Sequence, residues 1–191
     1  VLHGWGLNFE SDRTRDFQTY MRKGSLDQGA AQMELRGRVR LWLGAALRKA
    51  GDFGSKAVHV RIPPIGLGQF LNTVKRKEDK TFLAQTFVKE LERAADSFRG
   101  AVFVEVCDFT SALPALGVPR DLVQSANISI VDRGNLFSEA GVELHPESPH
   151  LSIAGRTLAL VNAWDDVAFI GNGGITDRTV DGFFVAGHGP N

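Results

Sequence analysis

A chain of 191 residues with 43% hydrophobic side chains carries enough apolar material for one packed domain. Its 22 basic and 22 acidic side chains cancel, which excludes recognition of nucleic acid or of a membrane surface by bulk charge. The single cysteine, Cys107, excludes an intrachain disulfide and a cysteine-based zinc site, and no apolar run approaches the roughly 20 residues of a membrane span.

In chain order, Val1 to Leu7 (VLHGWGL) reads as a short strand, and Asn8 to Gly29 as a polar, loop-rich excursion. Ala30 to Ala50 places Leu35, Val39, Trp42, Leu43, Ala46 and Leu47 at helical spacing, with Gly51 as a stop signal. Ala57 to Ile62 alternates Val58, Val60 and Ile62 against His59 and Arg61, the period of a strand, with His59 read as a surface histidine. Pro63, Pro64, Gly66 and Gly68 then open a loop. Asp79 to Phe98 is a second amphipathic helix, with Leu83, Phe87, Leu91, Ala94 and Phe98 in one stripe. Ala101 to Cys107 reads as an interior strand apolar on both faces, with Cys107 as a buried, inert thiol. Thr110 to Gln124 is ambiguous because of Pro114 and Pro119. Asn127 to Val131 and two runs around Gly155 complete the sheet. Alternation of helix and strand in the first half implies parallel crossovers, and so an α/β sandwich.

Two loops in this scheme follow strands. Pro64-Ile65-Gly66-Leu67-Gly68-Gln69 leaves backbone donors free to wrap a phosphate, although it is neither GxGxxG nor a Walker motif. An ordinary tight connection is its bland alternative. The second loop follows the apolar run Leu158 to Val161 and holds Gly171, Asn172, Gly173 and Gly174 among the carboxylates Asp165, Asp166, Asp177 and Asp181. Glycines admit a ligand close to the backbone, whereas carboxylates repel phosphate and suit a sugar hydroxyl, a cation or a proton transfer. The combination suggests a ligand with both a diphosphate and a ribose. A helix beginning near Ile175 would set Asp177 and Asp181 on one face; alternatively Asp177 only caps it. The spacing fits no calcium loop, and His3, His145, His150 and His188 show no metal-ligand spacing, so neither a metal nor a cofactor is expected.

These residues carry a resemblance. Val161-Asn162-Ala163, a glycine-containing stretch and Val180-Asp181-Gly182 resemble the macro-domain motif VNAAN followed by GGGVDG, from a family that binds ADP-ribose and in some members hydrolyses it from proteins. That motif comes early in the family and ends the chain here. Val1 to Gly6 is similar to the family's VIHTVGP strand. Helix 30–50 and the segment Val58 to Phe70 are similar to its helix and diphosphate-gripping loop. Helix 79–98 and strand 101–104 resemble its usual final pair. The resemblance therefore implies one domain over residues 1–191: a circularly permuted, macro-domain-like three-layer sandwich with a central mixed sheet.

It departs from the family at Asp165, which stands where the second Asn of VNAAN orients the distal ribose, and at GNGGITDRTVDG, which replaces GGGVDG. Either Asp177 or Asp181 can thus occupy the place of the ribose-contacting Asp. The Gln-Glu-Glu signature of poly(ADP-ribose) glycohydrolases is absent. The pattern looks closest to the atypical MavL-type macro domains, which remove ADP-ribose from arginine, in that case of ubiquitin. The resemblance implies catalytic roles for Asp165, Asp177 and Asp181. It implies ligand contacts from Asn162, Trp164, Asn172, Gly173, Gly174 and Ile175, and from Pro64, Ile65, Gly66, Leu67, Gly68, Gln69 and Phe70. Asp108, Phe109 and Asp132, which end or follow strands, are candidates at the adenine end.

Carboxylates suit that chemistry. A guanidinium pairs with them bidentately, and breaking the N-glycosidic bond develops positive charge on the ribose. Two other readings stand beside the enzyme: a module that retains ADP-ribose without cleaving it, and an interaction domain that has lost the ligand. The expected partners are ADP-ribose and an ADP-ribosylated protein, with no nucleic acid and no membrane. The expected state is a cytoplasmic monomer, or a secreted effector acting in a host cytosol. Because the chain opens on Val1 rather than Met, the expectation is an excised domain of a longer protein.

Overall fold

The computed structural model describes residues 2–108, 111–131, 143–144 and 151–163. Within them β1 (Leu2–Gly4) is followed by a short helix α1 (Arg15–Tyr20) and a small hairpin, β2 (Met21–Arg22) and β3 (Ser25–Leu26). Two long helices alternate with strands: α2 (Gln28–Asp52), β4 (Val58–Ile62), α3 (Lys77–Ser97) and β5 (Val102–Cys107). A four-residue helix α4 (Ala112–Ala115), then β6 (Ile128–Val131), β7 (Glu143–Leu144), β8 (Leu151–Ile153) and β9 (Arg156–Ala163) complete the described chain.

The excursion at 8–29 is thus more ordered than its polarity suggests. Thr14 caps α1 by accepting from the Phe17 N–H at 3.4 Å, and its hydroxyl donates to the carbonyls of Asn8 and Ser11. These local side-chain bonds make a helix start without any apolar periodicity. Asp27 likewise caps α2 through the Ala30 N–H at 3.1 Å. Across the core, Asp79 accepts from the Leu26 N–H at 3.2 Å and so ties the hairpin to α3.

The seven-stranded sheet runs β6-β5-β4-β9-β8-β7, with β1 pairing with β9 as well. Strands β1, β9, β4, β5 and β6 are mutually parallel, while β7 and β8 are antiparallel. The molecule is therefore α/β with a mostly parallel sheet. Strand β5 lies inside it, between β4 and β6. The run split by Gly155 becomes the β8–β9 hairpin, turning through Ala154 and Gly155 with φ of 50° and 74°. Two successive residues at positive φ match the right-handed twist of the strands they join.

Alternation sorts the strands into two unlike faces. Val58, Val60 and Ile62 of β4 and Val102, Val104 and Val106 of β5 belong to one core cluster with α2 (Leu35, Val39, Leu43) and α3 (Leu83, Phe87, Leu91). The opposite face carries Cys107, Leu158 and Leu160 in a smaller apolar cluster. It also carries a buried polar group. Glu105 meets His59 Nε2 at 3.0 Å and Arg61 Nε at 3.5 Å, and Arg61 is fully buried. Two expectations change here. His59 is not a surface histidine, and β5 is not apolar on both faces. Glu105, which both His59 and Arg61 meet, lies on the neighbouring strand, in pairing that a single strand's pattern does not display. Cys107 is fully buried, as its apolar run suggests.

Candidate functional site

Parallel pairing decides where the candidate residues go. Because β1, β9, β4, β5 and β6 run the same way, Gly4, Ala163, Ile62, Cys107 and Val131 all end at one edge of the sheet. Open α/β sheets bind ligands in the crevice beyond the carboxyl ends of their strands. Strands β4 and β9 are immediate neighbours, with Arg61 opposite Leu160. The loop after β4 and the chain leaving β9 at Asn162 and Ala163 therefore emerge side by side. On the far side of β9, Asn162 stands opposite His3 of β1.

The loop after β4 is built tightly. The Ile65 N–H donates to the Pro63 carbonyl at 2.7 Å, and the Leu67 N–H to that of Pro64 at 3.2 Å. Ile65 and Leu67 bury their side chains in the core, anchoring the loop from below. Gly66 has φ of +80° and Gly68 is exposed at its far end, before the 3-10 turn Gln69–Leu71. Among the described residues, a Cβ on Gly68 would meet no atom within 4 Å, so space is open above its backbone there. Among the described residues the Gly66 and Gly68 N–H groups donate to no other backbone carbonyl outside the regular elements. Leu67 differs, since its N–H already closes the turn. The Gly66 and Gly68 N–H groups are therefore candidate donors to a ligand.

The segment after β1 forms the floor. A Cβ on Gly6 would lie 2.5 Å from the Gly66 Cα and 2.7 Å from the Ile65 carbonyl oxygen. Only two glycines allow backbones to approach so closely. The Phe9 N–H donates to the Phe70 carbonyl at 2.7 Å and the Thr73 N–H to the Phe9 carbonyl at 3.0 Å, stitching the two segments further along. Phe70 thus contributes its backbone to the fold, with its ring half-buried.

Asp108 is at the same edge, directly after β5, but is 97% buried by its neighbours, with 3% exposure. Its two carboxylate oxygens accept from the N–H groups of Ala112 at 2.8 Å and Leu113 at 3.0 Å. Its visible work is capping α4, whose own N-cap residue, Ser111, makes no side-chain cap and sits at φ 53°. That task had no sequence signal, because α4 is only four residues long and contains Pro114.

Trp164, Asp165, Asn172, Gly173, Gly174, Ile175, Asp177, Asp181, Phe109 and Asp132 lie outside the described residues, as do the side chains of Asn162 and Gln69. The described part of the candidate site is therefore the loop Pro64 to Gly68, floored by Gly6. Sequence reasoning missed Gly6 as a site element and Arg38, which holds the segment around it. Arg38 of α2 donates through Nη1 to the carbonyls of Trp5 (3.4 Å) and Gly6. The spacing Gly4-Trp5-Gly6 was the available signal for a close backbone approach.

Among the described residues no group of three or more His, Cys, Asp or Glu side chains could hold a metal ion. None of their helices is long and apolar enough to cross a membrane. A groove along α3 lined by Glu92, Asp96, Asp121 and Gln124 is remote from the strand-end edge and mixes both signs of charge with no carboxylate–base pair. Compared with protein-family models and with curated proteins, the sequence matches none.

Proposed function

We propose that this chain is an ADP-ribosyl hydrolase that removes mono-ADP-ribose from arginine side chains of proteins, built as a circularly permuted, macro-domain-like three-layer sandwich. The observation that carries the reading is the parallel adjacency of β4 and β9. It sets the glycine loop 64–68 beside the outlet of β9, from which Trp164 and the carboxylate-bearing stretch continue. A ligand with a diphosphate between two sugars needs backbone donors in its middle and carboxylates at its distal ribose. The interior place of β5 supports the same reading.

In the proposed reaction the diphosphate rests against the Gly66 and Gly68 N–H groups. Asp177 and Asp181 hold ribose hydroxyls or the departing guanidinium, and Asp165 orients or deprotonates the attacking water. The water oxygen bonds to the anomeric carbon as its bond to the arginine nitrogen breaks. The proton taken from water ends on the leaving guanidine, restoring free arginine and ADP-ribose. Carboxylates near the sugar stabilise its positive charge as that bond stretches.

A second reading is a module that binds ADP-ribose without cleaving it. The test is incubation of the protein with arginine-linked and, separately, glutamate-linked ADP-ribosylated proteins. Hydrolysis of the arginine adduct should fall roughly 100- to 10,000-fold in Asp165→Ala, Asp177→Ala or Asp181→Ala, with melting temperatures little changed. Retained activity in all three sinks the catalytic assignment. Binding without turnover in the parent protein selects the module.

A further inference from the structure

The residue that fixes the glycine loop is not in the loop. Arg38, on α2, has a side chain only 13% exposed and is engaged on every side. Its Nε meets Glu34 Oε1 at 2.8 Å, its Nη2 lies 3.4 Å from both Asp16 oxygens, and its Nη1 holds the carbonyls of Trp5 and Gly6. Asp16 also accepts from the Asn8 N–H at 2.8 Å, so the same ionic knot grips the segment at both ends. Two carboxylates face one guanidinium. Its charge is locally overbalanced and its donors are spent, so it is not a direct receptor for an anion.

What it holds is Gly6, and Gly6 is the floor of Gly66. With no side chain on either residue, nothing soft lies between them: the would-be Cβ of Gly6 is 2.5 Å from the Gly66 Cα and 2.7 Å from the Gly66 nitrogen. Close-packed backbones transmit displacement rather than absorb it. Gly68 follows two residues later, before the turn that Leu71 closes on the Gly68 carbonyl at 3.1 Å.

We propose that Arg38 is a positioning residue for oxyanion binding. Through Gly6 it sets the height of Gly66 and Gly68, and with it the fit of the loop to a diphosphate. This assignment rests on reading the loop as the diphosphate-binding element. A lysine cannot replace it, because one ammonium on a flexible stem does not span two carbonyls and two carboxylates as a planar fork does.

The experiment uses the whole chain carrying Arg38→Met, Arg38→Lys and, as control, Arg36→Met. Arg36 is on the same helix but bonds Glu90 instead. The amide resonances of Gly66 and Gly68 are followed by NMR in the ligand-free protein, alongside calorimetric titration with ADP-ribose below the melting transition. Folded Arg38→Met and Arg38→Lys should both shift the two glycine amides and weaken ADP-ribose by roughly 10- to 100-fold, the scale of an ångström of misplacement; Arg36→Met should do neither. If Arg38→Met fails to fold, Arg38→Lys, which keeps the charge, decides. Unmoved glycine amides in a folded Arg38 variant overturn the assignment, as does unchanged affinity. A parent protein that binds no ADP-ribose overturns the proposed function instead, and the glycine amides then decide the coupling alone.

Discussion

Gly6 and Gly66 pack backbone against backbone, so that a methyl group on Gly66 would sit 2.9 Å from the Gly6 Cα and 3.0 Å from the Leu7 nitrogen. The contact joins the exit of β1 to the loop after β4, two segments that belong to strands separated in the sheet by β9.

Gly66→Ala combines that clash with a left-handed backbone at φ +80°. It should destabilise the fold by about 1–3 kcal/mol, read as a melting temperature lower by roughly 3–10 °C. Gly6→Ala should act similarly through the clash alone. A Gly66→Ala protein that melts with the parent would show the approach to be looser than described.

Gly68→Val separates ligand from fold. No atom of the described residues lies within 4 Å of its would-be Cβ, so the melting temperature should barely move. Calorimetry should show ADP-ribose binding weakened at least tenfold, or about 1.4 kcal/mol, because the side chain occupies the space assigned to the diphosphate. Equal affinity in parent and variant would move the ligand elsewhere.

Asp108→Ala removes the acceptor of two backbone N–H groups and should cost about 1–2 kcal/mol, the usual worth of a lost helix cap. Asp108→Asn keeps one amide oxygen and should recover part of the loss. Urea denaturation of the three proteins checks this. Identical midpoints would return Asp108 to the ligand-binding candidates.

Glu90 should make the fold sensitive to acid. It is buried between α2 and α3 and receives Gln32 at 2.8 Å, Arg36 at 3.0 and 3.2 Å and Arg93 at 3.0 Å. Burial pushes its pKa up, but the hydrogen bonds from Arg36 and Gln32, and the charges of Arg93 and Arg36, outweigh it and hold the carboxyl below its ordinary value of 4.5. A carboxyl with a lowered folded pKa contributes stability above its ordinary value, and that contribution disappears as the pH falls through the folded one. Glu90→Gln should therefore be less stable than the parent at neutral pH. The two should converge below pH 4.5 in denaturation series, and a gap that stays constant with pH would contradict the assignment.

Much of this fold was legible because its long elements obey one rule at a time. Leu35, Val39, Trp42 and Leu43 mark the buried stripe of α2, and Val58, Val60 and Ile62 the helix-facing side of β4. Their burial alone dictates the pattern. Helix α1 was hidden, since it owes its start to Thr14 hydrogen bonds and not to an apolar stripe. His59 was misread because its partner, Glu105, is 46 positions away and becomes visible only when β4 and β5 pair. The tight loop that holds Gly66 and Gly68 could be found from the glycine spacing after a strand. Gly6 had only the spacing Gly4-Trp5-Gly6 as a signal, and Arg38 had none, for its role arises from contacts to the carbonyl oxygens of Trp5 and Gly6.

The buried group on the outer face of β4 and β5 also constrains how the sheet can assemble. Arg61 stands directly opposite Glu105. Sliding β4 by one residue along β5 would turn Arg61 and His59 toward the helix-covered core and leave Glu105 beside Val60 or Ile62. An uncompensated buried charge costs about 3–5 kcal/mol, a penalty that an all-valine interface would not impose. The ion pair thus lets the nascent sheet distinguish the correct alignment from its nearest mistake, and with it the alignment of every strand end on which a ligand would rest.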